Sequence, residues 1–524
     1  MLSGETVICE TLKELSINQA FGVPGHPIVQ LCNRLSSYGI KYISMRNEQS
    51  ASYAASVVGY ITNNPGVCIT VAVGPGLLHA LPGIGNSKAN KWPMIILSVG
   101  VATSQASLGA FQDENQIALV SPIVKWAVRC ENVNSWRRLL HQAHYVATKG
   151  TPGPVYLEFP ADIIQENVTV HNGRLDYLTR ENIENELSLG ALQSLHNLVE
   201  TLIKSDGKLL VIIGKGAAYS RSEVVLTEFI TRHKIPFISM PMGKGVVSEF
   251  NELNMNAARN FAMRSASVIL IVGARLNWML NYGKKFNLKS KIIHFEIDNM
   301  RIGGDIKENF ELINKFLDNK RITINEVWLS ELKNNCLANA KNVAKIMTRV
   351  EESGLMNYHQ AFNILNKIVN NNSVVICEGS NTMDISRLFI KHSKPRKRLD
   401  AGTNGAMGVG LGYAIAAALS APSEAEPVIC IQGDSAFGFS AMELETISRY
   451  NLKIIAIVLN NSGIYTGRRL NLAGDQPVTT LSKNCRYELI AKAFKGGKIT
   501  LYPIVLNVII DPLCGKIPFN SSKL

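Results

Sequence analysis

The sequence predicts an α/β protein built from three doubly wound parallel-sheet domains, and three observations carry that prediction. Short runs of Val, Ile and Leu recur along the chain with helical patterns between them, and strands alternating with helices imply parallel sheets. The length of 524 residues exceeds what one core organises and suits about three domains of ~150 to 200 residues. Two polar stretches, from Asp162 to about Ser188 and from about Asn299 to Asn357, divide the apolar pattern into three parts.

Taken in order, residues 1–165 carry the runs 39–45, 67–73, 94–99 and 155–159. A second unit, expected over 189–320, opens on the run 209–213, whose turn reads Gly214-Lys215-Gly216-Ala217-Ala218-Tyr219. It continues through 236–241 and 267–272 and closes near 292–298. Residues 299–357 are helical in pattern and rich in Asn and Lys, as an interdomain linker would be. A third unit, 359–515, begins at 374–377, and 516–524 reads as a tail. The first and third units look like two sheets of the same general kind.

Composition excludes several classes. The 46% hydrophobic and 18% charged fractions belong to a globular enzyme rather than a disordered or fibrous chain. The longest small and apolar run, Ala406 to Ala421, is shorter than a membrane span and reads as a buried helix. Met1 to Glu10 lacks a basic region followed by an apolar core, so no secretory signal is expected. Nine cysteines without a CxxC pair fit reduced, mostly buried thiols. The net charge of +13 is spread along the chain except for Lys394 to Arg398 (KPRKR), which has no interleaved aromatics. Nucleic acid is therefore not the expected partner, and a phosphate-rich small molecule suits the balance as well. The terminal Ser522-Lys523-Leu524 matches a peroxisomal address, so the peroxisomal matrix and an import receptor are expected.

The chemistry concentrates between Gly433 and Gly463. The run 427–431 leads to Gly433-Asp434-Ser435, a helical pattern follows, and the run 454–459 ends on Asn460-Asn461. Two parallel strands joined by a helix bring their carboxyl ends to one sheet edge. Asp434 and Asn461 are therefore expected to meet. A carboxylate, an amide oxygen and a backbone carbonyl such as that of Gly463 are the hard oxygen ligands Mg²⁺ prefers, leaving other positions for phosphate and water.

A Gly-Asp-Ser turn followed at this distance by Asn-Asn resembles the signature of enzymes dependent on thiamine diphosphate, and the three-part plan resembles that family's pyrimidine-binding, central and diphosphate-binding domains. The resemblance implies thiamine diphosphate and Mg²⁺ as cofactors and a homodimer or homotetramer, with coenzyme lying between the first domain of one subunit and the third of another. It also implies a role for Glu48, in Arg46-Asn47-Glu48 after a strand. A carboxylate there also suits a helix dipole, but the family's essential glutamate occupies this segment, where it hydrogen-bonds the aminopyrimidine and promotes loss of the thiazolium C2 proton.

Gly74-Pro75-Gly76 is a plain turn on its own terms and, by resemblance, lines the cofactor cleft through Gly74 and Gly76. Phe111-Gln112 reads as loop packing. By resemblance its loop faces the substrate, and Gln112 would hydrogen-bond a developing oxyanion. Met407 is most simply a core residue, although the family uses a bulky apolar side chain there to bend the cofactor. Ala406 departs from relatives that carry a hydroxyl at its position.

The segments 214–219, 241–247, 273–278 and 378–385 resemble the branch holding 2-hydroxyacyl-CoA lyases and oxalyl-CoA decarboxylases. That branch implies a coenzyme A thioester substrate, a place in fatty acid α-oxidation for a lyase, and nucleotide contacts in the central domain. Lys215 and Arg275 would touch phosphate and Asp298 ribose; each could equally be a solvated charge. Decarboxylases of this branch tend to carry Tyr-Glu at Phe111-Gln112, which leans toward a lyase. One departure points to a catalytically impaired relative: the crossover after Lys498 is short for a parallel connection, so a weakened edge of the third domain is expected.

Overall fold

The apolar runs become strands of three parallel sheets in the computed structural model, which describes residues 2–71, 73–168, 189–297, 305–422, 426–464, 477–496 and 502–513. The first sheet has the order Lys41–Ser44, Gln19–Gly22, Gly66–Thr70, Met94–Gly100, Pro154–Pro160, Trp126–Arg129. Its neighbours Gly66–Thr70 and Met94–Gly100 are buried at every residue, as helices on both faces require. Two strands were not foreshadowed by apolar runs. Gln19–Gly22 is only four residues long, and Trp126–Arg129 is a half-buried edge. A short antiparallel ladder pairs Leu2–Ser3 with Asn167–Val168.

The second sheet runs Phe237–Ser239, Leu209–Ile213, Val268–Val272, Lys291–Phe295. The third runs Arg398–Asp400, Val375–Glu378, Val428–Gly433, Ile454–Asn460, Ile504–Ile509. Counted from the parallel strand that opens each unit, the first four positions of sheet one and of sheet three follow the same spatial order (second, first, third, fourth), the kinship that the sequence suggested; at position five sheet one has its sixth strand and sheet three its fifth.

The linker reading of 299–357 is corrected for its described part. Helix Ile306–Phe316 buries Ile306, Phe310 and Ile313, with the Phe310 ring 5.3 Å from that of Phe229, so it belongs to the central domain's helical layer. Helix Glu326–Met347 docks through Trp328, whose indole N–H donates to the Ser265 hydroxyl at 2.8 Å. Burying a side chain of that size stabilises by about 3 kcal/mol. The outward Asn and Lys residues hid a narrow apolar stripe.

The first and third domains meet through two helices, Glu48–Thr62 and Val409–Ser420. A Cβ on Gly412 would lie 2.7 Å from the Ser50 carbonyl oxygen, so glycine permits the close crossing. Tyr413 is fully buried at this contact and bonds Asn86 at 2.6 Å. The run at 406–421 is thus a buried helix, and no helix among the described residues is long and apolar enough to cross a membrane. Eight cysteines among the described residues are free thiols, and burial pushes Cys9 up to about 12 and Cys32 up to about 11.

The strand Ile504–Ile509 pairs in parallel with Ile455 through Asn460. Its ladder is continuous, but Leu506 and Ile509 are exposed on the sheet's outer edge, and the described helix before it, Glu488–Ala493, has only six residues. Lys498 and most of the short crossover lie outside the described residues.

Candidate active site

The strand Val428–Gly433 ends where the chain turns into the helix Asp434–Gly438, and Ile454–Asn460 runs beside it with Gly433 opposite Leu459. That register brings Asp434 and Asn461 to the same edge. Asp434 is buried; one carboxylate oxygen accepts the Ser435 N–H at 2.8 Å, the other the Gly463 N–H at 3.1 Å. Burial pushes its carboxyl up to about 6, against the pull of those N–H donors. Asn461 is equally buried, Gly433 is partly open, and a Cβ there would meet nothing nearer than the Thr382 hydroxyl at 3.7 Å.

The other end of the site lies in the first domain. Asn47 caps the helix Glu48–Thr62 by accepting the Ser50 N–H at 2.8 Å, which sets Glu48 as the first helical residue. Glu48 is 8% exposed, and its carboxylate lies 3.2 Å from His79 Nδ1. His79 stands on the helix Pro75–Asn90, which begins at the Gly74 turn. Sequence reasoning missed His79, which reaches Glu48 only through the packing of two helices. Gly74 has φ +70°, and a Cβ there would lie 2.5 Å from Glu114 Cγ and 3.0 Å from the Gln112 carbonyl oxygen. Gly74, buried Gly76 and the Gln112 loop are therefore neighbours. Gln112 has φ +61°, unusual for a residue with a side chain, while Phe111 is 87% exposed, which does not support its reading as loop packing. Glu48 and Asp434 make no bond to each other.

Met407 is half-buried and stands outside the buried core, which corrects its reading as a core residue. The turn it occupies is held by Glu378, a residue to which the sequence assigned no role. Glu378 is fully buried; its carboxylate accepts the Gly408 N–H, the Gly410 N–H at 2.8 Å and the Gln432 amide at 2.7 Å. Burial pushes its carboxyl up to about 7.

A second site opens where all three domains converge. A cavity of about 650 Å³, counted to its open mouth, is lined by Trp92 of the first domain, Lys215 and Arg275 of the second and Thr403 of the third. Lys215 Nζ donates to Asn90 Oδ1 and to Thr403 Oγ1 at 3.1 Å, and lies 5.6 Å from the Trp92 ring centroid. Burial first, then Arg275 and Lys91, bring its ammonium down to about 7. Arg275 donates to the Ala89 carbonyl at 2.5 Å. Neither cation is a solvated surface charge. Asp298 lies outside the described residues; Glu296, 3.9 Å from Lys91, is the acidic residue on the lining nearest in sequence. The basic cluster 394–398 is partly consumed by packing. Arg396 pairs with Glu223 at 2.7 Å, and Arg398 is fully buried against the Ser386 hydroxyl at 2.8 Å.

Parallel α/β domains that end in a carboxylate-amide turn on one sheet and a buried helix-initiating glutamate on another define a coenzyme-dependent enzyme of the doubly wound class. The donor set fits magnesium diphosphate: Asp434 and, from the next strand's end, Asn461 and the Gly463 backbone stand at one sheet edge, and no cluster of three or more His, Cys, Asp or Glu side chains that would suit a softer metal occurs among the described residues.

The thiamine pyrophosphate enzyme N-terminal TPP binding domain matches residues 2–119, the central domain 197–317 and the C-terminal TPP binding domain 378–503. The chain is 36% identical to 2-hydroxyacyl-CoA lyase 1 of Dictyostelium discoideum, covering 94% of this chain and 92% of that protein. It is 36% identical to 2-hydroxyacyl-CoA lyase 1 of Homo sapiens, covering 98% and 95%, and 35% identical to oxalyl-CoA decarboxylase of Escherichia coli K12, covering 100% and 98%. The chain belongs to the thiamine pyrophosphate enzyme family. It is thus a thiamine diphosphate-dependent enzyme.

Proposed function

We propose that the protein is a 2-hydroxyacyl-CoA lyase, cleaving R–CH(OH)–CO–S–CoA into the aldehyde R–CHO and formyl-CoA. The observation that carries the reading is the Asp434–Gly463 turn standing on a sheet kindred to the one that carries buried Glu48. Such a pair can hold the two ends of one coenzyme when two copies associate, and we include a homodimer or homotetramer in the proposal. Asp434, Asn461 and the Gly463 carbonyl would hold Mg²⁺ and through it the diphosphate, with Gly433 and Ser435 leaving room for phosphate oxygens. Gly74, Gly76 and Met407 would line the ring end.

When bound, the coenzyme supplies an electron sink for carbon-carbon cleavage. The chain's residues handle protons and position. Glu48 holds a proton at the aminopyrimidine nitrogen, and Gln112 donates to the oxygen of the reacting carbon. Lys215 and Arg275 hold phosphates of the thioester's nucleotide in the three-domain cavity.

Both the lyase and the decarboxylase named above act on thioesters of coenzyme A. Phe111-Gln112, in place of Tyr-Glu, supports the lyase. Product analysis tests the reading. Formyl-CoA with an aldehyde from a 2-hydroxyacyl-CoA supports it, formyl-CoA with carbon dioxide from oxalyl-CoA alone transfers the chain to decarboxylation, and coenzyme binding without turnover of either marks an inactive relative. The tripeptide Ser522-Lys523-Leu524 supports a peroxisomal matrix location. Loss of punctate import when Leu524 is deleted from a fluorescent fusion tests that part.

A further inference from the structure

The turn that delivers Glu48 is not held by the first domain alone. Lys41–Ser44 is an edge strand, and an edge leaves backbone groups that must find partners elsewhere. They find them on one short helix of the third domain, Glu443–Arg449, and the residue after it. The Tyr450 hydroxyl accepts the Ser44 N–H at 3.0 Å, and the Arg449 guanidinium donates to the Ser44 carbonyl at 2.8 Å. At the other end of that helix, one oxygen of Glu443 accepts both the Arg46 N–H at 3.0 Å and the Asn47 N–H at 3.3 Å. Its second oxygen accepts the Thr446 hydroxyl at 2.7 Å.

Glu443 is 1% exposed, and a carboxyl group taken that far out of water needs hydrogen-bond partners, which these converging donors supply. Glu48 is the next residue after the two backbone groups it grips. We propose that Glu443 is a positioning residue for Glu48, its buried carboxylate fixing the Arg46–Asn47 turn and with it the direction of the Glu48 side chain. The inference rests on the reading above, in which Glu48 acts on the coenzyme. A burial contact alone would need no acceptor at this point, whereas a single oxygen shared by two consecutive N–H groups defines the turn's geometry. The helix also begins nine residues after Asp434 in sequence, so the same stretch that anchors the coenzyme's tail in one domain sets the acid of the other.

The test is exchange of the coenzyme's C2 proton for deuterium, followed by NMR after acid quench in the absence of substrate, together with calorimetric affinity for thiamine diphosphate at saturating Mg²⁺. Glu443→Ala should slow exchange at least about tenfold, while coenzyme affinity stays within about threefold. Glu443→Gln keeps an oxygen for both N–H groups and should restore exchange to within about threefold of wild type. Exchange at the wild-type rate in Glu443→Ala overturns the proposal, as does failure of Glu443→Gln to exceed Glu443→Ala.

Should the alanine variant not fold, Glu443→Asp decides. Its shorter arm withdraws the acceptor, so exchange should slow about fivefold or more at unchanged coenzyme affinity, and unchanged exchange overturns the idea. Glu48→Gln is the control: normal exchange in that variant sinks the assignment of Glu48, whereas silence there with normal exchange in Glu443→Ala sinks only the role of Glu443.

Discussion

The first and third domains share the order of their first four sheet positions and pack through equivalent helices, yet they present opposite chemistry at their sheet edges. In the first, the helix after the outermost strand begins with Glu48, a carboxylate whose side-chain partner is an exposed histidine. In the third, the equivalent helix begins at Gly408, pinned by Glu378, and the polar group that matters is Asp434, one strand further along and gripped by backbone N–H donors. A single exposed side-chain partner leaves an acid available for proton transfer; backbone donors hold a carboxylate still for a cation. One scaffold thus serves two tasks by changing which strand end carries the charge and what restrains it.

The largest expected effect breaks the comparison on its first side. Glu48→Ala should lower turnover about a thousandfold or more while the melting temperature and coenzyme affinity hold, and a steady-state assay beside calorimetry checks it. On the other side, Asp434→Ala should weaken Mg²⁺-dependent coenzyme affinity at least about a hundredfold, or ~2.7 kcal/mol, read by calorimetry at fixed magnesium. If both variants lost affinity alike, the division of labour between the two sheets would fail.

A smaller effect concerns Lys215. Its ammonium is depressed to about 7 by burial, so above pH 7 the empty cavity holds a neutral amine, and phosphate binding must draw a proton in. Affinity for ADP should therefore fall as pH rises from 7 to 9, by up to about tenfold per unit, and the protons taken up should appear as a buffer-dependent heat. Pure folding stability runs the other way: charged Lys215 is penalised, so its contribution improves as pH rises through 7 toward the ordinary lysine value. A pH-independent affinity would remove Lys215 from the phosphate site. The smallest effect is that of Gly74→Ala. It forces a side chain into a positive-φ turn against Glu114 and the Gln112 carbonyl, and should cost about 1–2 kcal/mol in thermal unfolding and a few-fold in kcat.

What the sequence disclosed was local or repeated. The convergence of Asp434 and Asn461 on one sheet edge was legible because strand ends in a parallel unit must converge, and the kinship of the outer domains followed from similar runs. The role proposed for Glu48 comes only from the resemblance, since a carboxylate opening a helix is common. What stayed hidden depends on contacts between residues far apart in the chain. Glu443 reaches Arg46, Glu378 reaches Gly408, and Asn90 and Thr403 meet on one lysine; no spacing in the sequence announces these pairs. The strand Gln19–Gly22 was missed because four residues are too short to stand out as an apolar run, whereas 299–357 was read as helical but its packing on the central domain was not.

The cavity around Lys215 has an implication for how the molecule holds together. Its wall is assembled from three domains, so no single domain owns it, and whatever fills it would act as a rivet through the whole chain. An excised central domain should keep its own sheet yet lose the ligand, and a ligand bound to the intact enzyme should merge staggered melting of the layers into one cooperative event.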